Sequence, residues 1–283
     1  MAAAAYVLQA CMILTKGPYA NMSDAPQILT LAQWSRGAPW RLNLPHSQPR
    51  HALVWVTRGQ ARATVSGQRR GLGAHNALAV PAGTLLSLDI GPACYGQVCL
   101  IAPGGPALMP DQTEHLRIRE VQQQAELTSL FETMTREASA GRPFADEAIG
   151  ALAILVTVWL RRALIGQEPG PRPTAAQRLI AAYAALLEQD HATGQPMAAY
   201  ARDLGVTPTH LTRSCKACCG LTAADLLVQR TLHAAREMLE DGDDAVRHVA
   251  AQLGFSSAAY FSRFIAQHTR LSPSELRRRA RKG

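Results

Sequence analysis

Three sets of side chains in this 283-residue sequence have the types and spacing to do chemistry. Cys215, Cys218 and Cys219 with His210 could ligate a metal or supply a thiolate nucleophile. All four fall on one short predicted helix, where adjacent cysteines point in different directions, and no second ligand pair is evident. Core packing is the favoured reading. His46, His51 and His75 are the second set, and they are too dispersed to form a ligand group. The third set is polar: Thr209, Thr212, Arg213 and Lys216 share the outer side of that same helix, and Ser262 and Arg263 face outward on a later one. Hydroxyls and guanidinium groups in such rows donate and accept hydrogen bonds, which suits binding.

The elements that must position the third set are read from periodicity and punctuation. Val246, Val249, Ala250 and Leu253 recur at i, i+3, i+4 and i+7, the stripe of a buried helix face. Gly254 follows where the chain must reverse, Ser257 is a good N-cap, and Phe261 and Phe264 turn to the core. Two short helices about a glycine turn make a helix-turn-helix, whose second helix can enter a DNA major groove. The pattern occurs twice. Ala201-Arg202-Asp203-Leu204-Gly205-Val206 matches Ala250-Ala251-Gln252-Leu253-Gly254-Phe255, and Leu211-Thr212-Arg213 matches Phe261-Ser262-Arg263. Thr207-Pro208 opens the first outward-facing helix, with Val206 and Leu211 placed to staple across the cap. An amphipathic helix over 223–240 joins the two units, and Thr174 caps another helix ahead of them.

The front half reads differently. Short apolar runs over 52–56, 61–65, 77–80, 85–90 and 95–101, separated by glycine and proline turns, predict a small antiparallel barrel or sandwich. Gly73 and Val80-Pro81-Ala82-Gly83-Thr84 resemble the second motif of cupin barrels. Leu86 stands where a cupin metal ligand would, and the region has no His-x-His pair, so a ligand-sensing or structural barrel is preferred to a metal enzyme. Trp34, Trp40 and Trp55 could line a pocket, with core packing the favoured reading, and Arg58, Arg62, Arg69 and Arg70 are expected to form a solvated face or meet an anionic effector. Residues 114–138 and 144–164 read as two helices. The second is apolar on most sides, so burial against a partner subunit as well as the barrel is one expectation.

Residues 166–173 hold three prolines and two glycines and read as a linker. The expected organisation is an N-terminal arm over 1–21, with Met22 as an alternative start, a front domain over 22–165, the linker, and a helical domain over 174–283. The fold class is α+β: a cupin-like β-barrel with two helices, then an all-α domain of two helix-turn-helix units. A formal charge of +8 favours a polyanionic partner. Six cysteines without a framework pattern suit a reducing cytoplasm, and the longest apolar run, 148–160, is shorter than a membrane helix requires.

With its closing pattern of Leu253-Gly254-Phe255-Ser256, Tyr260-Phe261-Ser262-Arg263 and Leu271-Ser272-Pro273, the region 174–279 resembles the AraC/XylS family of transcription regulators. The resemblance implies two recognition helices in successive major grooves of an operator. Thr209, Thr212 and Arg213 would reach bases from the first, and Ala258, Ala259, Ser262 and Arg263 from the second. Lys216, Arg247, Tyr260 and Gln267 would meet phosphates. It further implies a small-molecule effector, an aromatic or other organic acid, bound in the front half, contact with RNA polymerase, commonly as an activator, and no cofactor. The sequence departs from the family at Cys215, Ile265, Ala266, Arg270 and Leu276. Ala266 lacks a phosphate contact and Arg270 stands where glycine is usual. Two other readings remain: DNA alkyl-transfer repair through a reactive cysteine, and a cupin-type enzyme.

Overall fold

The computed structural model describes residues 25–167 and 172–281. The N-terminal arm, the alternative start at Met22 and the middle of the linker lie outside the described residues. Strand β1 (Gln27–Thr30) runs into a one-turn helix α1 (Leu31–Trp34), where Thr30 and Gln33 form a reciprocal capping box, and α2 (Trp40–Asn43) follows. Strands β2 (His51–Arg58), β3 (Ala61–Val65), β4 (Gln68–Leu72), β5 (Asn76–Val80), β6 (Leu86–Ile90), β7 (Tyr95–Ile101) and β8 (Glu114–Arg117) complete the sheet region.

The strands form two antiparallel sheets, ordered β1-β7-β2-β5-β8 and β4-β3-β6. Among the described residues their ladders do not join into one closed barrel; the isolated bridge His46–Leu86 ties the chain before β2 to the smaller sheet. Burial explains why β2 reads as an unbroken apolar run. Ala52, Val54 and Val56 face Ala63, Val65, Leu72 and Leu88 of the smaller sheet. Leu53 and Trp55 face the other way, onto Leu127, Phe131, Val156 and Trp159 of helices α3 (Val121–Ala140) and α4 (Ala145–Ile165). The core of this half is thus sandwiched in three layers: small sheet, large sheet, helix pair. Trp34, Trp40 and Trp55 are all buried, as expected of packing residues.

Three differences from the sequence expectations have simple causes. Strand β4 went unread because only Leu72 of it is buried, and its arginines belong to an edge pairing with β3. Residues 114–117 are the edge strand β8 paired with β5, so the predicted helix begins later, at Val121. Helix α4 has the expected extent, but its apolar stretch is longer than the run of 148–160: an 18-residue window reaches a mean hydropathy of 1.8, long and apolar enough to cross a membrane by those measures alone. Its Ile149, Ala153, Val156, Trp159 and Leu160 are spent on the core described above, while Leu155 and Ile165 are exposed.

The back half is helical: α5 (Ala175–Asp190), α6 (Met197–Asp203), α7 (Pro208–Cys219), α8 (Ala223–Glu240), α9 (Val246–Gln252), α10 (Ala258–Thr269) and α11 (Pro273–Ala280). Thr174 caps α5 in a box with Gln177, as its type predicts. Helix α11 was not anticipated. Ahead of the basic run over 277–282 stand two buried residues, Pro273 and Leu276, and a Ser272–Glu275 capping box, and Arg277 reaches the Leu239 carbonyl at 3.2 Å. The described part of the tail is therefore a docked helix that carries basic residues.

The two halves touch through α2, the chain leading to β2, and the β3–β4 hairpin. Arg41 makes a forked ion pair with Asp241 at 2.6 and 2.8 Å. Glu188 of α5 accepts two bonds from Arg230 of α8, at 2.8 and 3.1 Å, and one from the Ser47 hydroxyl. Trp40 lies under the guanidinium groups of both Arg41 and Arg236, with centroid distances of 4.6 and 4.3 Å. His46 stacks on His233 with centroids 4.6 Å apart.

Candidate nucleic-acid interface

Helix α7 starts where it does because Thr207 accepts a bond from the His210 amide at 3.2 Å and Pro208 needs no amide partner at the first helical position. It stops at Gly220, which takes the left-handed conformation at φ 74°. Between those ends Leu211, Ser214, Cys215 and Cys219 are buried, and Val206 packs beside them at the start. That leaves Thr209, Arg213 and Lys216 exposed and Thr212 half-buried on the opposite side. The predicted outward row is present on one helix face.

The second unit repeats the construction. Gly254 turns the chain at φ 72°, and Ser257 accepts a bond from the Tyr260 amide at 3.1 Å to start α10. Phe261 and Ile265 are fully buried, with Phe255 packed edge-on against Phe261 and tilted against Phe264. Ala259 and Arg263 are exposed, Ala258 and Ser262 half-buried. The Ser262 hydroxyl donates to the Ala258 carbonyl at 2.8 Å, and Arg263 lies 6.0 Å from the Tyr260 ring centroid. Arg270 ends the helix in the left-handed conformation, φ 59°, that glycine would adopt without strain. Arg247 and Gln267 are exposed, as is Tyr260.

Helix α8 makes one scaffold of the two units. Its Ala223 and Leu226 complete the core beneath α7, while Leu232, Ala235 and Leu239 complete the core beneath α10. Cys215 and Ile265 are wholly buried, so each core closes on a side chain of moderate size.

The competing chemistries find less support. Burial pushes the Cys215 thiol up to about 12 and raises Cys218 and Cys219 as well, the reverse of an activated thiolate. Among the described residues no group of three or more His, Cys, Asp or Glu side chains is placed to hold a metal ion. The front histidines have separate contacts: His46 stacks on His233, His51 Nδ1 accepts from the Ala82 amide at 3.1 Å, and His75 lies beside Trp55. Leu86, at the cupin ligand position, is buried core.

The front half carries two large clefts. One, of about 740 Å³, lies between α1, α2 and the β6–β7 turn, with Leu31, Leu42, Ile90 and Tyr95 among its walls. The other, of about 710 Å³, is lined by arginines from β4, β8 and α4. Sequence reasoning singled out only Arg70 of that group. A period-two signal was there to be read: His115, Arg117 and Arg119 alternate with the buried Leu116 and Ile118.

Residues 200–279 match the family described as a helix-turn-helix domain. The HTH-type transcriptional regulator GlxA of Rhizobium meliloti is 31% identical over 132 residues, covering 44% of this chain and 41% of that protein. The match thus spans about two fifths of the relative's length. Among solved structures, unsaturated fatty acid-bound ToxT of Vibrio cholerae covers 90% of this chain and 96% of its own at 12% identity and a TM-score of 0.41. The C-terminal domain of AraT, a response regulator of Geobacillus stearothermophilus, covers 38% of this chain and 88% of its own at 22% identity and a TM-score of 0.34. The helical half is a double helix-turn-helix domain, the class that two outward-facing helices on one scaffold helix define. Residues 200–279 of that half are the part that the matching helix-turn-helix family describes.

Proposed function

We propose that the protein is a sequence-specific DNA-binding transcription regulator whose front half binds a small-molecule effector. One observation carries this reading: α7 and α10 present matching exposed faces from two cores closed by the single helix α8. Thr209, Thr212 and Arg213 read bases from the first helix, and Ala258, Ala259, Ser262 and Arg263 from the second. Arginine grips guanine with two hydrogen bonds, whereas alanine offers only apolar contact to a thymine methyl, so the first helix discriminates more strongly. Lys216, Arg247, Tyr260 and Gln267 meet phosphates, which set affinity and its salt dependence. A charge of +8 supports approach to that polyanion.

The working units are a cupin-like sensing domain over 22–165, a linker over 166–173 and a DNA-binding domain over 174–283. The exposed Leu155 and Ile165 on α4 support a homodimer joined through that helix. The protein acts in the cytoplasm as an activator that contacts RNA polymerase, and no enzymatic step is assigned to it. Selection of bound sequences from a random duplex pool tests the central claim. A bipartite motif with half-sites about one helical turn apart is expected; recovery of no motif would overturn it. Sedimentation of the full chain tests the dimer, since a monomer at micromolar concentration removes that part.

A further inference from the structure

The arginine-lined cleft lies in the front half, on elements other than α7 and α10, and its chemistry is specific. Arg70 comes from β4, Arg117 from β8, Arg119 from the turn that follows, and Arg162 from the last turn of α4. Against these four guanidinium groups the cleft wall offers one carboxylate, Glu120, which already accepts a bond from Gln123 at 2.7 Å. None of the four forms an ion pair among the described residues, in contrast to Arg41, Arg230 and Arg236 at the contact between the halves. Four like charges gathered on one wall repel one another, and that cost is relieved when an oxyanion binds between them.

Two further observations sharpen the site. The Nε of Arg70 is buried without a hydrogen-bond partner, a donor left over at the cleft's own wall. His115, also on the wall, bonds Asn76 Oδ1 at 2.8 Å and is held neutral, down to about 4, first by burial and then by Arg70 and Arg117. A neutral imidazole adds a polar contact without adding charge. A volume of about 710 Å³ suits a metabolite-sized ligand. The carbonyl end of α4 opposes an anion, so the attraction must come from the guanidinium groups. Gly166 and Gln167 close one side of the cleft, and the chain then leads to the cap of α5 at Thr174.

We infer that this cleft binds a small organic anion bearing two or more carboxylate or phosphate charges, and that the bound anion, at the root of the chain leading to the DNA-binding helices, alters operator affinity. This deepens the effector reading above and rests on it.

The test uses the full chain at constant ionic strength, with succinate and inorganic phosphate as separate probes and benzoate as the single-charge control. Calorimetric titration and thermal melting read binding, and operator affinity is read with and without each probe on the duplex recovered by selection. Saturable binding of succinate or phosphate, and weaker binding of benzoate, is expected; which of the two wins distinguishes a carboxylate from a phosphate ligand. Arg117→Gln and Arg162→Gln, both on exposed side chains, are each expected to weaken the preferred probe about tenfold. Arg58→Gln, outside the cleft, is expected to leave it unchanged. No saturable binding, or equal loss in Arg58→Gln, overturns the site. Binding that leaves operator affinity unchanged overturns the coupling. A protein that binds the anion but selects no DNA motif overturns the regulator reading and leaves the site standing.

Discussion

Arg213 and Arg270 make the sharpest single-residue predictions. Arg213 is exposed on α7 beside Thr209 and free of any ion pair among the described residues. Replacing it with alanine is expected to cost ~1–3 kcal/mol of binding to the selected operator and to relax one base position. Uniform weakening on all duplexes, measured by competition against single-base variants, would assign it to phosphate instead. Arg270 holds φ 59° at the end of α10, a conformation strained for any side chain. Arg270→Gly is expected to raise stability by about 1 kcal/mol, read as an increase in the denaturant midpoint with unchanged slope. A fall in the midpoint would mean the arginine makes a compensating contact.

At the scale of elements, the two turns are unequal. Gly205 has open space around its α-carbon, whereas a Cβ on Gly254 would lie 2.4 Å from the Gly194 amide nitrogen. Gly194 itself has positive φ and presses back on the Gly254 carbonyl. Gly254 is therefore demanded twice, by its backbone angle and by the approach of the loop after α5. Gly254→Ala is expected to destabilise by more than Gly205→Ala, with the second costing about 1 kcal/mol for its angle alone. Equal losses in paired chemical denaturation would remove the close-approach argument. Removing the start signal of α10 by Ser257→Ala is expected to cost ~1 kcal/mol, because the Tyr260 amide loses its acceptor.

For the whole molecule, the contact between the halves is the governing feature. His46 donates from Nδ1 to the Leu44 carbonyl at 2.8 Å, and His233 lies 3.2 Å through Nε2 from the Arg41 carbonyl. The other nitrogen of each ring is buried without a partner, which suits a bare lone pair and not a proton. Burial holds His46 down to about 4, opposed by its bond to the Leu44 carbonyl and by Glu188 and helped by Arg230; burial first, then His46 and Arg230, hold His233 well below its usual value. Both rings are neutral when folded and take up protons near 6.5 when unfolded, so the unfolded chain binds more protons in that interval. Stability is full above about pH 6.5 and is lost as pH falls toward 4. Thermal melts across that range are expected to drop steeply, and His46→Phe is expected to flatten the drop. Arg41→Ala removes the forked pair with Asp241 and is expected to loosen docking by roughly 1–3 kcal/mol. Faster amide exchange confined to α2 and α8 is the readout; unchanged exchange would mean that Trp40 and the histidine pair hold the contact alone.

Much of the helical half was legible in the residues. Thr174, Thr207 and Ser257 are caps, Gly205, Gly220 and Gly254 are left-handed turns, and the stripes at Leu211–Cys215 and Phe261–Ile265 face inward. These are local properties: a cap needs three residues, a stripe two turns, and each carries its own chemistry. Strand β4 was not legible, since an edge strand with one buried residue has almost no apolar pattern and exists because a neighbour supplies its hydrogen bonds, while β8 offered only the short alternation about Leu116 and Ile118. The arginine cleft and the His46–His233 contact assemble residues from separate elements that no local pattern links. The sequence by itself determined two outward-facing helices on one scaffold, because their caps, turns and apolar faces are written within a few residues of each other. Only the tertiary structure decided where the two halves meet and where the front half gathers positive charge, because long-range packing sets both.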